Sequence, residues 1–345
     1  MNPFEPASLS PITKTPVPCP LPYDLTLEDL QNLLPGFEQE HNTLQAFSSY
    51  EKQGLNGGSN SCILSLSYPT AAEQIRSETV FIKFTTDAKK MEARKYQALE
   101  SLNIPTPRLL AAIYKNNSEI IILEFLPKIG IDFHSLNEVN SLLHLTAQLN
   151  AIQNPPELFD QSGEGVPQAE FDERVWSALK EIARDRYLPL KVDIPRWFDA
   201  YQIARIACKS MLRAVNHNEF SFQQVSWVQS DEKSQLVIFD LETMSLSPRF
   251  TDIAGILPGL AMYLGLNQIE LFKTYLGMLR ELNPLELEID EAFHELRLVQ
   301  IRDTFDSLPW LVDVARRPDL NRMLDNPLLR NLNTLNDGLV ALRFL

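Results

Sequence analysis

Thr79-Val80-Phe81-Ile82-Lys83-Phe84 alternates with a period of two, with Val80, Ile82 and Phe84 on one face and Phe81 and Lys83 on the other. The pattern predicts a strand with one face in a core. A lysine in so apolar a strand is unremarkable on an open edge, where it discourages aggregation. It also suits a cation held rigidly to bind phosphates, provided that a carboxylate orients it. Glu92 lies nine residues on, in a segment rich in helix formers that runs from the candidate cap Asp87 to about Leu102. Ile104-Pro105-Thr106-Pro107 stops that helix. Upstream, Cys62, Leu64, Leu66 and Tyr68 share one face of a second strand, which Gly54-Leu55-Asn56-Gly57-Gly58-Ser59-Asn60 joins to a strand near Leu44–Lys52. A hairpin turn explains such glycines. Backbone N–H groups free to approach phosphate oxygens explain them as well. Two further strands, about Leu109–Tyr114 and Ile120–Phe125, turn at Asn116-Asn117.

After Pro127 the period becomes helical. Helices are expected at Leu136–Gln153, Phe171–Arg186, Pro195–Ala214, Thr251–Leu264, Gln268–Leu282 and Glu288–Leu308, the last stopped by Pro309, with another after Arg322. A strand pair, about Val225–Gln229 and Leu236–Phe239, interrupts them. At the other end, seven of the 23 prolines fall between Pro3 and Pro22, a density that forbids helix and favours an extended leader. Thr26 is the candidate cap of a helix over Leu27–Leu34. The reading is α+β: a small β-rich lobe, a hinge near Leu126 and a larger helical lobe, in line with about two domains for 345 residues.

Composition narrows the function. A net charge of −14 argues against a general nucleic-acid binder. Cys19, Cys62 and Cys208 are too few and too scattered for a disulfide framework or a zinc site, so a reducing compartment is expected. The most apolar uncharged stretch, Ile253 to Ile269, is 17 residues long and holds Pro258 and three glycines, where a membrane span wants about 20 apolar residues. The N-terminus has no basic region followed by an apolar core, so a cytoplasmic protein without membrane attachment is expected.

A second cluster of chemistry-bearing residues is His217-Asn218-Glu219-Phe220-Ser221-Phe222-Gln223-Gln224, followed by Asp240 within Ile238-Phe239-Asp240-Leu241-Glu242 at the end of an apolar strand. Taken singly, each acid reads as a surface carboxylate and His217 as a packing histidine. Their order together with the glycine loop, strand lysine, helix glutamate, hairpin and hinge resembles the kinase-like aminoglycoside phosphotransferase family, which includes choline, homoserine and fructosamine kinases. The resemblance spans about residues 40–265 and is carried by Gly57–Asn60, Glu92 to Pro107, Leu123-Glu124-Phe125-Leu126-Pro127, and Phe239-Asp240-Leu241-Glu242 with Asp252-Ile253-Ala254.

That resemblance implies a protein kinase-like two-lobe fold, with a nucleotide-binding lobe over 25–126 and a helical lobe over 127–345 following the Pro-rich leader of 1–24. It implies ATP and Mg²⁺ as cofactors. Gly57, Gly58, Ser59, Asn60 and Lys83 are expected on the phosphates, with Glu92 holding Lys83. Glu124 to Leu126 are expected to offer backbone groups to adenine, Asp240 and Gln224 to bind the metal, and Asp252 to brace the catalytic loop. Glu219 is expected to position the hydroxyl of a small-molecule acceptor. Asp172-Glu173 and Glu286 to Glu291 could attract a cationic acceptor, although a charge run is more often a solvated helix face. The chain departs from the family's His-Gly-Asp-x4-Asn loop at Asn218, Glu219 and Gln224. Glu for Asp and Gln for Asn keep the functional group and add one methylene, which moves the reacting oxygen by about 1 Å, a misplacement that can cost about 10²-fold in rate. The alternative is a kinase-fold protein that binds nucleotide or a partner without transfer.

Overall fold

Strand β3 (Ile75–Thr85) lies in the middle of a five-stranded antiparallel sheet of order β1-β2-β3-β5-β4, with β1 over Ala46–Gln53, β2 over Ser59–Pro69, β4 over Leu109–Lys115 and β5 over Ser118–Glu124. The computed structural model describes residues 23, 25, 46–53, 59–69, 75–86, 91–115, 117–127, 129–160, 168–184, 192–229, 234–284, 287–317 and 327–342. The leader over 1–22, the helix expected at 27–34, the cap expected at Asp87, and Gly57 and Gly58 lie outside those residues.

The alternation in β3 is structural. Val80, Ile82 and Phe84 join Cys62, Leu64, Ile120, Ile122 and Leu25 in one apolar cluster. Lys83, on the opposite face, stands between Ser61 and Ile121 across the sheet. A central strand is covered on both sides, so its lysine is 6% exposed and not an edge residue. Asn117 takes the left-handed conformation, φ 63°, in the turn between β4 and β5.

The chain divides into two compact units, one of Met1–Tyr96 with Pro107–Pro127 and one of Gln97–Thr106 with the residues from 128 on. The sheet and the first turns of helix α1 (Glu92–Ser101) belong to the first. The second unit holds α2 (Leu136–Asn150), α3 (Gln168–Arg184), α4 (Ile194–Ser210), α5 (Thr251–Leu264), α6 (Gln268–Leu282), α7 (Ile289–Ala315) and α8 (Pro327–Ala341). Its core runs along α7, which packs on α3, α4, α5 and α8. None of the described helices is long and apolar enough to cross a membrane.

Two helix ends differ most from expectation. The helix expected to reach Ala214 ends at Ser210, and Arg213–Asn216 form strand β6, paired antiparallel with β9 (Ser245–Pro248). Ala214, Val215 and Asn216 are buried, and the β9 ladder satisfies backbone groups that a continued helix would have used internally. The helix expected to stop before Pro309 instead continues to Ala315. An interior proline costs roughly 3 kcal/mol. Burying Leu311, Val312 and Val314 beyond it, at roughly 1.5–3 kcal/mol each, outweighs that cost. The expected strand pair is present as β7 (Val225–Gln229) and β8 (Ser234–Ile238).

Candidate functional site

In the first unit, Lys83 Nζ lies 2.8 Å from Glu92 Oε2, and the two side chains are 8% and 1% exposed. Two charges this deep persist only when each compensates the other. Glu92 is placed by a residue that sequence reading did not single out. Glu119 on β5 is 1% exposed, and its carboxylate accepts the backbone N–H groups of Glu92 (2.9 Å) and Ala93 (3.2 Å). A carboxylate at a helix N-terminus satisfies orphan donors and complements the helix dipole. Partial desolvation, with the Glu119 carboxylate beside it, pushes the phenol of the largely exposed Tyr114 up to about 12. The lysine strand, the helix and β5 thus form one polar unit. Glu124, Phe125 and Leu126, where a hinge is expected, are half-buried, and the Glu124 N–H is already donated to the Arg108 carbonyl at 3.0 Å. Ser59 and Asn60 open β2, pairing with Thr85 and Phe84.

In the second unit, the β6/β9 ladder ends at Asn216 opposite Ser245, and the chain turns into His217–Gln224. The Asp252 carboxylate, in the first turn of α5, accepts the N–H groups of His217 (2.7 Å) and Asn218 (2.9 Å). The His217 ring Nε2 lies 3.0 Å from the Phe239 carbonyl, tying this loop to the end of β8. Buried Asn216 accepts the Asp252 N–H at 3.2 Å and donates to the Pro248 carbonyl at 3.2 Å. Glu219, held on this frame, is exposed. Asp240 takes the left-handed conformation, φ 66°, just before a single 3-10 turn over Leu241–Thr243. That turn brings carboxylate oxygens of Asp240 and Glu242 within 4.8 Å of each other. Paired hard oxygens on one rigid turn fit a magnesium ion. Glu242 was legible as the second acid of Asp240-Leu241-Glu242 but was not singled out as a ligand. The Gln224 carboxamide oxygen accepts a hydrogen bond from the Ser221 hydroxyl, so the added methylene is folded back into the loop. Phe222 packs on Phe133 (centroids 4.2 Å apart) and on α5 at Gly259, where a Cβ would sit 3.5 Å from the ring.

The acidic segments proposed for a cationic acceptor are partly accounted for. Asp172 pairs with Arg205 at 3.6 Å. Residues 285 and 286 lie outside the described residues.

Burial pushes the Asp252 carboxyl up to about 7, against the pull of the His217 and Asn218 amides. A carboxyl whose folded pKa exceeds its unfolded value of about 3.9 holds a proton in the folded state that the unfolded chain releases. Its contribution to stability is therefore full below about pH 4 and lost as pH rises to about 7, at no more than about 1.4 kcal/mol per pH unit. Urea titrations of wild type and Asp252→Asn between pH 5 and 8 should show the wild type's advantage shrinking up to pH 7 and then levelling. An advantage that grows over that window contradicts the assignment.

No protein-family model matches the chain, and no curated protein does either. Solved structures do. The chain is similar to choline kinase from Cryptosporidium parvum Iowa II, with 13% identity, a TM-score of 0.57, and 91% of this chain and 95% of that one covered. Plasmodium vivax ethanolamine kinase aligns with 12% identity and a TM-score of 0.52, over 84% of this chain and 81% of that one. Spectinomycin phosphotransferase, in a complex with ADP and spectinomycin, aligns with 13% identity and a TM-score of 0.51, over 85% and 89%. At such identities the likeness speaks for the fold, and the fold is the α+β protein kinase-like fold that these kinases and phosphotransferases share.

Proposed function

We propose that the chain is an ATP-dependent phosphotransferase acting on a hydroxyl of a small molecule. The observation that carries this reading is the buried Lys83–Glu92 pair, anchored by Glu119. A scaffold gains little from two desolvated charges, since an apolar pair of similar volume is often as stable or more so. A lysine needed for phosphates explains their presence. Lys83 neutralises phosphate charge, and Glu92 sets its direction. Asp240 and Glu242 offer carboxylates to magnesium, and Gln224 offers a carboxamide. Bound magnesium supplies charge stabilisation on the transferring phosphoryl group. Glu219 accepts the acceptor's hydroxyl proton or orients its lone pair, and Asp252 holds the loop on which it sits. The names choline kinase, ethanolamine kinase and spectinomycin phosphotransferase support a small-molecule acceptor and, with the ADP of the last, ATP as donor.

One observation favours a second reading, a kinase-fold protein that binds nucleotide without transferring phosphate. The Gln224 carboxamide oxygen already accepts a hydrogen bond from the Ser221 hydroxyl within its own loop. ADP release with Mg²⁺·ATP against a panel of hydroxyl compounds separates the two. Turnover that falls about 10²-fold or more in Glu219→Gln, with ATP binding intact, is the expected result. ATP binding without turnover on any acceptor, unchanged in Glu219→Gln, supports the second reading and contradicts the first.

A further inference from the structure

We infer that Asn218 is a positioning residue whose side chain pins the loop bearing Glu219 to the turn bearing Asp240 and Glu242. The inference rests on the phosphotransfer reading of these residues. The β6/β9 ladder ends at the pair Asn216–Ser245, so residues 217–219 lie just past the last backbone pairing between the two strands. There the Asn218 side chain continues the connection. Its Nδ2 donates to the Thr243 carbonyl at 2.8 Å and to the Ser245 hydroxyl at 2.9 Å, with the Asn216 carbonyl at 3.3 Å. Thr243 answers from the other side, its hydroxyl donating to the His217 carbonyl at 2.9 Å. The two segments are thereby clasped in both directions, immediately before Glu219 and immediately after Glu242.

The backbone explains why asparagine can occupy this position. Asn218 has φ 68°, the left-handed region that glycine enters freely and asparagine tolerates better than most residues. Glycine would allow the same turn without any clasp. What the side chain adds is therefore one N–H directed at the end of the turn and one at the first residue of β9, and their effect falls on the neighbouring carboxylates. A clasp at this point limits how far Glu219 can drift from the Asp240 turn. That restraint matters more for a glutamate than for a shorter acid, because its additional torsion widens the reach of the carboxylate.

Asn218→Gly keeps the allowed φ and removes the donors. Asn218→Asp keeps the φ and the shape but turns a carboxylate oxygen toward the Thr243 carbonyl. Both variants should lose kcat by about 10- to 100-fold, with KM for ATP within about twofold of wild type. The thermal midpoint of Asn218→Gly should stay near wild type, and Ser245→Ala, which removes one of the two short contacts, should show a smaller loss of kcat. Unchanged kcat in both variants overturns the inference. So does a kcat loss that appears only alongside a raised KM and a lowered midpoint, the signature of a merely structural role. If wild type phosphorylates none of the hydroxyl acceptors, the phosphotransfer reading has failed, and hydrogen exchange decides the clasp separately. Faster amide exchange over 217–222 in Asn218→Asp, with α5 unaffected, supports the pin; unchanged exchange there overturns it.

Discussion

Lys83→Met is expected to abolish ATP binding and to destabilise the protein by about 3–5 kcal/mol, the usual effect of removing one partner from a buried ion pair. The size of the stability loss comes from what remains. Glu92 is fully buried, its backbone N–H is already committed to Glu119, and methionine offers its carboxylate no charge. Pairing Lys83→Met with Glu92→Leu should restore much of the stability, because two apolar side chains of similar volume impose no desolvation cost. It should restore none of the nucleotide binding. Chemical denaturation and calorimetric titration on the two single variants and the double variant measure both effects. If the double variant binds ATP as wild type does, the pair is structural and Lys83 has no role with phosphates.

Asp240→Asn should produce the opposite combination: a loss of about 10³-fold in turnover with little change in stability. Asp240 is only half-buried, and its left-handed backbone, φ 66°, suits asparagine as well as aspartate. The substitution therefore removes a negative charge and one hard oxygen donor without straining the turn. The magnitude follows from the weight that fixed charges and metal contacts carry where a phosphoryl group is in flight. Steady-state kinetics beside a melting curve tests it. Full activity in Asp240→Asn assigns the metal elsewhere, with Glu242 the next carboxylate on the same turn.

How much of this was legible in the sequence follows from the range of the interactions. The alternation around Lys83 showed which face enters the core, because burial of Val80 and Ile82 is a local pattern. The helix bearing Glu92 and the turn at Asn117 were also local. Strand β6 was not. Four residues following a helix carry no period of their own, and they become a strand only because β9, over 30 residues later in the chain, pairs with them. Glu119 was invisible for the same reason: a cap donated from another strand, 27 residues from Glu92, leaves no spacing signature near the helix. Pro309 misled because intrinsic propensity marks a stop, whereas the leucine and valines beyond it have a core to enter. At the candidate site, Lys83, Glu92, Glu219, Gln224 and Asp240 were singled out by their order and by the family resemblance that this order carries. Glu119, the approach of the Glu242 carboxylate to that of Asp240 and the bonds of the Asn218 side chain emerged only from geometry.

Calorimetric titration of ATP into wild type, Lys83→Met and Asp240→Asn, with and without Mg²⁺, decides whether these two residues serve a magnesium-bound nucleotide. Saturable binding that requires Mg²⁺ is expected in wild type, with no detectable binding in Lys83→Met and affinity reduced about tenfold or more in Asp240→Asn. An absence of Mg²⁺-dependent binding in wild type, or equal affinity in all three proteins, contradicts that role.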